Sequence, residues 1–191
     1  MRALLFGLGV LIGLALGWAA YTISGCAPWE SISAPKEIGT SLAPIRAYFS
    51  PSPQPERAII ETINTAQRSL HAALYQLTDP EIAQALQEAF RKGLEIQILL
   101  DDEPSRGSKG CLLRDAGIPV KEFADSGIMH HKFAVVDGEK LLTGSYNWTT
   151  AAQTRNEENL LIIESVELAQ AFLREFQRLW NHRKAQPLSK C

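Results

Sequence analysis

Apolar side chains divide the chain into stretches of different period. Ala3–Tyr21 is an unbroken apolar run without a polar face. As a helix it would extend about 28 Å, close to the thickness of a bilayer core. Residues 27–44 keep no period and place Pro28, Pro35 and Pro44 among Ser, Gly and Thr, the composition of a linker. "IRAYF" then reads as a short strand. "SPSPQP" breaks it, and Pro53 or Pro55 suits the opening of a helix. Ile59, Ile60, Ile63, Ala66 and Leu70 keep helical spacing. "HAALYQL" reads as a strand. "TDPEIAQALQEAFRKG" reads as a helix, capped by Thr78 or Asp79 with Pro80 in the first turn. Its apolar face is Ile82, Ala85, Leu86, Ala89 and Phe90, and Gly93 ends it.

The alternation continues. "LEIQILLDD" has a strand's period of two, a short helix falls near 106–116, and "IPVKEF" is a further strand. "HHKFAVV" and "KLLTGS" flank Asp137–Gly138, a hairpin signal. "NLLIIE" is the next strand. "SVELAQAFLREFQRLW" closes as an amphipathic helix through Ala169, Phe172, Leu173, Phe176, Leu179 and Trp180. The pattern predicts an α/β class with a mixed β-sheet flanked by helices, preceded by an N-terminal hydrophobic segment. The expected division is a signal peptide or anchor over 1–26, a linker over 27–44, a catalytic domain over 45–184 and a tail over 185–191. No internal repeat is visible.

Composition changes this picture little. The chain is 46% hydrophobic and 21% charged with a net charge of −2, which fits a folded domain. Bulk charge of this sign gives no footprint of a general nucleic-acid binder and leaves a local basic groove open. Arg106, Lys109 and Arg114 are candidates for such a groove; the alternative is a solvated helix face. The three cysteines, Cys26, Cys111 and Cys191, have no zinc-site spacing. Nothing in the sequence decides whether Cys111 and Cys191 pair.

The N-terminal run carries one cation, Arg2, and no further charge before Glu30. "ISGC" resembles a bacterial lipobox, which would make Cys26 a lipidated mature N-terminus. The length of the run favours instead an uncleaved anchor. Gly9, Gly13 and Gly17 form a small-residue row that would let two such helices approach. In a bacterium either reading places the rest of the chain outside the cytoplasm, in the cell envelope, periplasmic or membrane-anchored.

The chemistry is concentrated in "HHKFAVVDGEKLLTGSYN", residues 130–147. On a strand, residues two apart share a face, so His130 pairs with Lys132 and Ser145 with Asn147. An ammonium, a hydroxyl and an amide together suit a phosphate. An imidazole beside them suits attack on phosphorus or proton transfer. Asp137 in Asp-Gly reads first as a turn residue. His131 reads as packing or surface, and His71 and His182 have no supporting context.

The stretch resembles the phospholipase D superfamily signature, HxKxxxxD followed after six residues by GSxN. Here these are His130, Lys132 and Asp137, then Gly144, Ser145 and Asn147. The resemblance spans roughly residues 45–180 and is strongest to the small single-motif members, bacterial endonucleases and the mitochondrial cardiolipin hydrolase group. The latter usually carry a Cys/His insertion that this chain lacks, which favours the bacterial branch. The resemblance implies His130 as nucleophile through a phosphohistidine. It implies Lys132 and Asn147 on the phosphate oxygens, with Ser145 assisting, and Asp137 as a further member of the motif. It also implies a downstream acid that orients the imidazole. Glu158 fits, whereas Glu157 should face the other way.

One imidazole cannot be neutral nucleophile and protonated leaving-group acid at the same moment. A single motif therefore predicts a homodimer whose two His130 side chains share one active site. No cofactor and no metal is implied. The expected function is a metal-independent phosphodiesterase, most readily an endonuclease on DNA or RNA. The alternative is a phospholipase D or cardiolipin hydrolase acting on membrane phospholipid, and a non-catalytic scaffold is a third reading.

Overall fold

The computed structural model describes residues 43–101, 108–124 and 127–189. The N-terminal apolar run, Cys26, Arg106 and Cys191 lie outside them. No helix among the described residues is long and apolar enough to cross a membrane.

Eight strands form one mixed sheet. They are β1 (Ile45–Ser50), β2 (Ser69–Leu74), β3 (Glu95–Asp101), β4 (Val120–Phe123), β5 (Lys132–Val136), β6 (Lys140–Gly144), β7 (Glu158–Glu164) and β8 (Ala185–Pro187), in the order β1-β7-β6-β5-β2-β3-β4-β8. β2, β3 and β4 are parallel; every other pairing is antiparallel. The helices are α1 (Gln54–Thr65), α2 (Pro80–Arg91), α3 (Gly110–Asp115), α4 (Thr150–Thr154) and α5 (Val166–Trp180).

Period-two alternation sends each strand's side chains into two separate cores. Leu70, Ala72 and Leu74 of β2, Ile96 and Ile98 of β3, Ala134 and Val136 of β5 and Leu160 and Ile162 of β7 pack with Ile59 and Ile63 of α1 and Ile82 and Leu86 of α2. The opposite faces, through Ala73, Leu99, Phe133, Val135 and Leu141, pack with Ala169, Phe176 and Leu179 of α5. α2 begins as its sequence dictates: the Asp79 carboxylate accepts the Glu81 and Ile82 N–H groups at 3.0 and 3.1 Å, and Pro80 occupies the first turn.

Three local features differ from the sequence reading. β5 starts at Lys132, so His130 and His131 precede the strand. α4 adds a short helix after the GSxN stretch. Residues 185–187, read as tail, become the eighth strand, because β4 otherwise presents an unpaired edge. Leu188 then donates its N–H to the Val120 carbonyl at 3.1 Å. Cys111 is disulfide-bonded, and its partner cysteine lies outside the described residues.

Candidate functional site

The C-terminal ends of parallel strands β2 and β3 lie at the same sheet end as the start of β5, the end of β6 and the start of β7. The register fixes this: Leu74 faces Lys132, and Gly144 faces Leu160. Ligands in α/β sheets bind outside such carboxyl ends.

His130 is exposed and sits on the segment entering β5. Three contacts hold that segment. Buried Asp101, at the end of β3, accepts the Met129 N–H at 2.5 Å. The Tyr75 N–H donates to the His131 carbonyl at 2.7 Å. The Lys132 ammonium donates to the His130 carbonyl at 3.0 Å. The Tyr75 ring also meets the His130 imidazole edge-on, with centroids 4.5 Å apart, and lies 4.9 Å from the Lys132 Nζ. Tyr75 therefore touches both the imidazole and the ammonium.

Lys132 is half-buried. Loss of solvent lowers its pKa, and the negative charge of Glu158 acts in the opposite sense. Glu158 opens β7 on the same sheet face as Lys132. Its carboxylate also accepts the Asn156 Nδ2–H at 3.0 Å.

Gly144 is required by the close approach of two chains. Its φ is +150°, and a Cβ there would fall 2.2 Å from the Asn159 carbonyl oxygen. The approach lets the Ser145 Oγ accept the Asn159 N–H at 3.0 Å and its Nδ2–H at 3.3 Å. The Ser145 hydroxyl proton is left to donate elsewhere. Tyr146 turns inward, and Trp148 is buried with its carbonyl accepting the Thr78 and Asp79 N–H groups. Asn147 lies between them. Among the described residues only three buried side-chain polar atoms lack a partner: the Asn147 Oδ1, the Tyr146 hydroxyl and His71 Nδ1. Two of the three belong to the GSxN loop. Burial, with Asp79, Glu56 and Glu158 nearby, pushes the Tyr146 phenol far up and keeps it protonated.

Asp137 stands apart from this group, at the turn end of the β5–β6 hairpin. Its carboxylate accepts the N–H groups of Gln67, Arg68 and Ser69 at 3.0, 2.7 and 3.0 Å. Burial raises its pKa, but the bonds from Ser69, Gln67 and Arg68 outweigh this and hold it below the usual carboxylate range. It adopts φ +56° beside Gly138 at +69°, the backbone a tight hairpin turn demands.

The other histidines are accounted for by packing. His131 meets Phe133 edge-on and lies 3.7 Å from Glu175. Its pKa is lowered by burial, against the pull of Glu175. His71 meets Phe176 edge-on, and its pKa is also lowered by burial. Of the proposed groove residues, Arg114 is bound to Asp115 and to the Leu188 carbonyl, and Lys109 lines a separate pocket with Gln87 and Arg91 of α2. Neither lines the cleft that contains His130. Among the described residues no cluster of three or more His, Cys, Asp or Glu is placed to hold a metal ion.

Tyr75 and Asp101 were not singled out from sequence, yet both were findable. Each lies at the carboxyl end of a predicted strand, and the structure makes the two strands parallel, the arrangement in which binding residues gather at that end.

Residues 59–180 match the family described as "Cardiolipin synthase, PLD-like domain". The chain belongs to this phospholipase D-like family. Within the family it is a small, single-motif member, with one HxKxxxxD and GSxN set. It is 40% identical over 124 residues to the mitochondrial cardiolipin hydrolase of Mus musculus, covering 64% of this chain and 56% of the relative. It is 35% identical over 147 residues to a phospholipase D of Rickettsia bellii, covering 76% and 71%. The chain spans about half the length of the mammalian relatives it matches. Among solved structures, the phospholipase D family member Nuc from Salmonella typhimurium superposes with a TM-score of 0.70 at 28% identity, covering 78% of this chain and 99% of that one. NucT from Helicobacter pylori shares the fold, with a TM-score of 0.69 at 23% identity, covering 76% and 99%.

Proposed function

We propose that this chain is a metal-independent phosphodiesterase that acts through a phosphohistidine at His130, with single-stranded nucleic acid as substrate. The observation that carries the reading is the single sheet end holding an exposed imidazole, a half-buried ammonium and a Ser145 hydroxyl whose proton is left to donate. In the first step a neutral His130 nitrogen attacks phosphorus, a P–N bond forms and the P–O bond to the leaving group breaks. The leaving oxygen takes a proton from a second imidazole, the partner's His130. That imidazole, now neutral, removes a proton from water; the hydroxide displaces His130 and releases a phosphomonoester. Lys132, Asn147 and the Ser145 hydroxyl hold the phosphoryl oxygens as charge builds on them. Glu158 keeps Lys132 charged within its half-buried position.

The names of the curated relatives favour a second reading, phospholipid as substrate. The full-length protein and its His130→Asn variant should be assayed on single-stranded DNA, RNA, and vesicles of phosphatidylcholine or cardiolipin. Cleavage of nucleic acid by the wild type alone supports the reading, and cleavage of lipid alone overturns the substrate. Sedimentation tests the shared site: an active monomer refutes it. Activity that disappears in EDTA and returns with a divalent metal would refute the metal-independent step.

A further inference from the structure

We infer that the cleft of about 600 Å³ running from His130 past the end of α5 binds a second, non-reacting phosphate of a nucleic-acid strand. The inference rests on His130 as the reacting group and adds to it the means of recognising a polymer. Ile128 and His130 line one part of the cleft, and Arg178, His182, Arg183 and Lys184 line another. No carboxylate occurs among the described residues that line it, although the chain as a whole carries a net charge of −2.

The basic groups are not equivalent. The Arg178 guanidinium forks onto Glu175 with two bonds of 2.7 Å, so its charge is already answered. Arg183 is exposed, and its side chain makes no hydrogen bond or ion pair to a described residue. Its backbone is nevertheless fixed. The His182 N–H donates to Leu179, the Ala185 N–H to His182, and the Ala124 N–H to Lys184, at 3.1, 2.9 and 3.1 Å. An uncommitted guanidinium on an ordered turn is prepared for a phosphate, which it can grip with two parallel bonds. The His182 ring, resting on Phe123 with centroids 5.6 Å apart, and the exposed Ile128 offer flat surface for a base. The guanidinium favours an anionic ligand, and the ring surface beside it favours a nucleic acid over a lipid headgroup.

The test is binding, read apart from turnover. Full-length protein carrying His130→Asn is titrated with a fluorescein-labelled single-stranded 12-mer, with and without Arg183→Gln. Removing one phosphate contact should weaken binding about tenfold and flatten the slope of log affinity against log salt by about 0.7. In the His130-intact background, Arg183→Gln should raise KM for the 12-mer about as much and leave its kcat unaltered. An unchanged affinity and salt slope would overturn the subsite. Equal losses on the 12-mer and on bis(p-nitrophenyl) phosphate, which has one phosphate, would overturn it too. Vesicles of cardiolipin that compete off the 12-mer in an Arg183-dependent manner would overturn the nucleic-acid assignment in favour of lipid. A wild type inactive on every diester, with Arg183-dependent binding intact, would refute the proposed catalysis and not the subsite.

Discussion

The two ends of the β5–β6 hairpin carry residues of one sequence motif and have opposite characters. They are separated by five strand residues, about 17 Å of chain. At the turn end, the Asp137 carboxylate is saturated by three backbone N–H groups and stitches the hairpin to the loop before β2. At the other end, His130 is exposed, Lys132 is stripped of part of its solvent, and the Ser145 hydroxyl keeps a proton to donate. Satisfied polar groups stabilise a fold; groups kept short of partners are available to a ligand. Membership of one motif therefore does not give its residues one environment.

Substitutions at four positions would sharpen or break that contrast. His130→Asn should lower turnover at least about 10⁴-fold, the scale of losing a nucleophile, with thermal unfolding within a degree or two of wild type. A comparable fall in melting temperature would make His130 a structural residue. Lys132→Gln should reduce kcat about 10²–10³-fold, the scale of losing one charge-stabilising donor. Steady-state kinetics in which only KM changes would contradict a role in the transition state.

Tyr75→Leu removes the ring that touches both groups, and kcat should fall about tenfold, as misplacement of a reacting group predicts. Tyr75→Phe should recover most of that loss, since the contacts are made by the ring face and edge. A Phe variant as impaired as Leu would show that the hydroxyl matters instead.

Asp137→Ala should leave kcat per folded molecule unaltered and reduce unfolding free energy by about 2 kcal/mol, the scale of lost bonds to a charged acceptor. The pKa of Asp137 is held below its unfolded value of about 3.9. Its contribution is thus complete above about pH 5 and is lost as pH falls through the lower, folded-state value. Urea denaturation should show wild type and variant converging in acid. A constant gap between pH 7 and pH 2.5 would contradict the ionic origin.

Much of this molecule could be read from one-dimensional pattern. The α2 start followed from Pro80 and a cap at Thr78 or Asp79, which the structure gives to Asp79, because a cap and a first-turn proline act within four residues. The hairpin followed from Asp137–Gly138 for the same reason. β8 could not be read: Ala185–Pro187 is three residues long, and its conformation is imposed by the open edge of β4. The site was legible as a list before it was legible as geometry. Alternation along a strand paired His130 with Lys132, but His130 lies outside the strand. What holds it are Tyr75 and Asp101, 55 and 29 residues earlier in the sequence, and no local period connects residues so far apart. Arg106, Lys109 and Arg114 are candidates in sequence for a basic groove at the site entrance, and of these Lys109 and Arg114 do not line the cleft that contains His130. Arg178, Arg183 and Lys184, from the end of α5 and the chain after it, line that cleft.

Gly144 has a consequence for anyone wishing to retune this protein. The hydrogen of its α-carbon occupies space in which any methyl group would strike the Asn159 backbone. Ser145 and Asn147 on one strand exit, and Glu158 on the next strand's entry, are therefore adjusted as one block. A laboratory that randomises the GSxN loop while holding β7 constant, or the reverse, will recover few folded clones. Libraries that vary both strands together, with Gly144 kept, should be the productive ones.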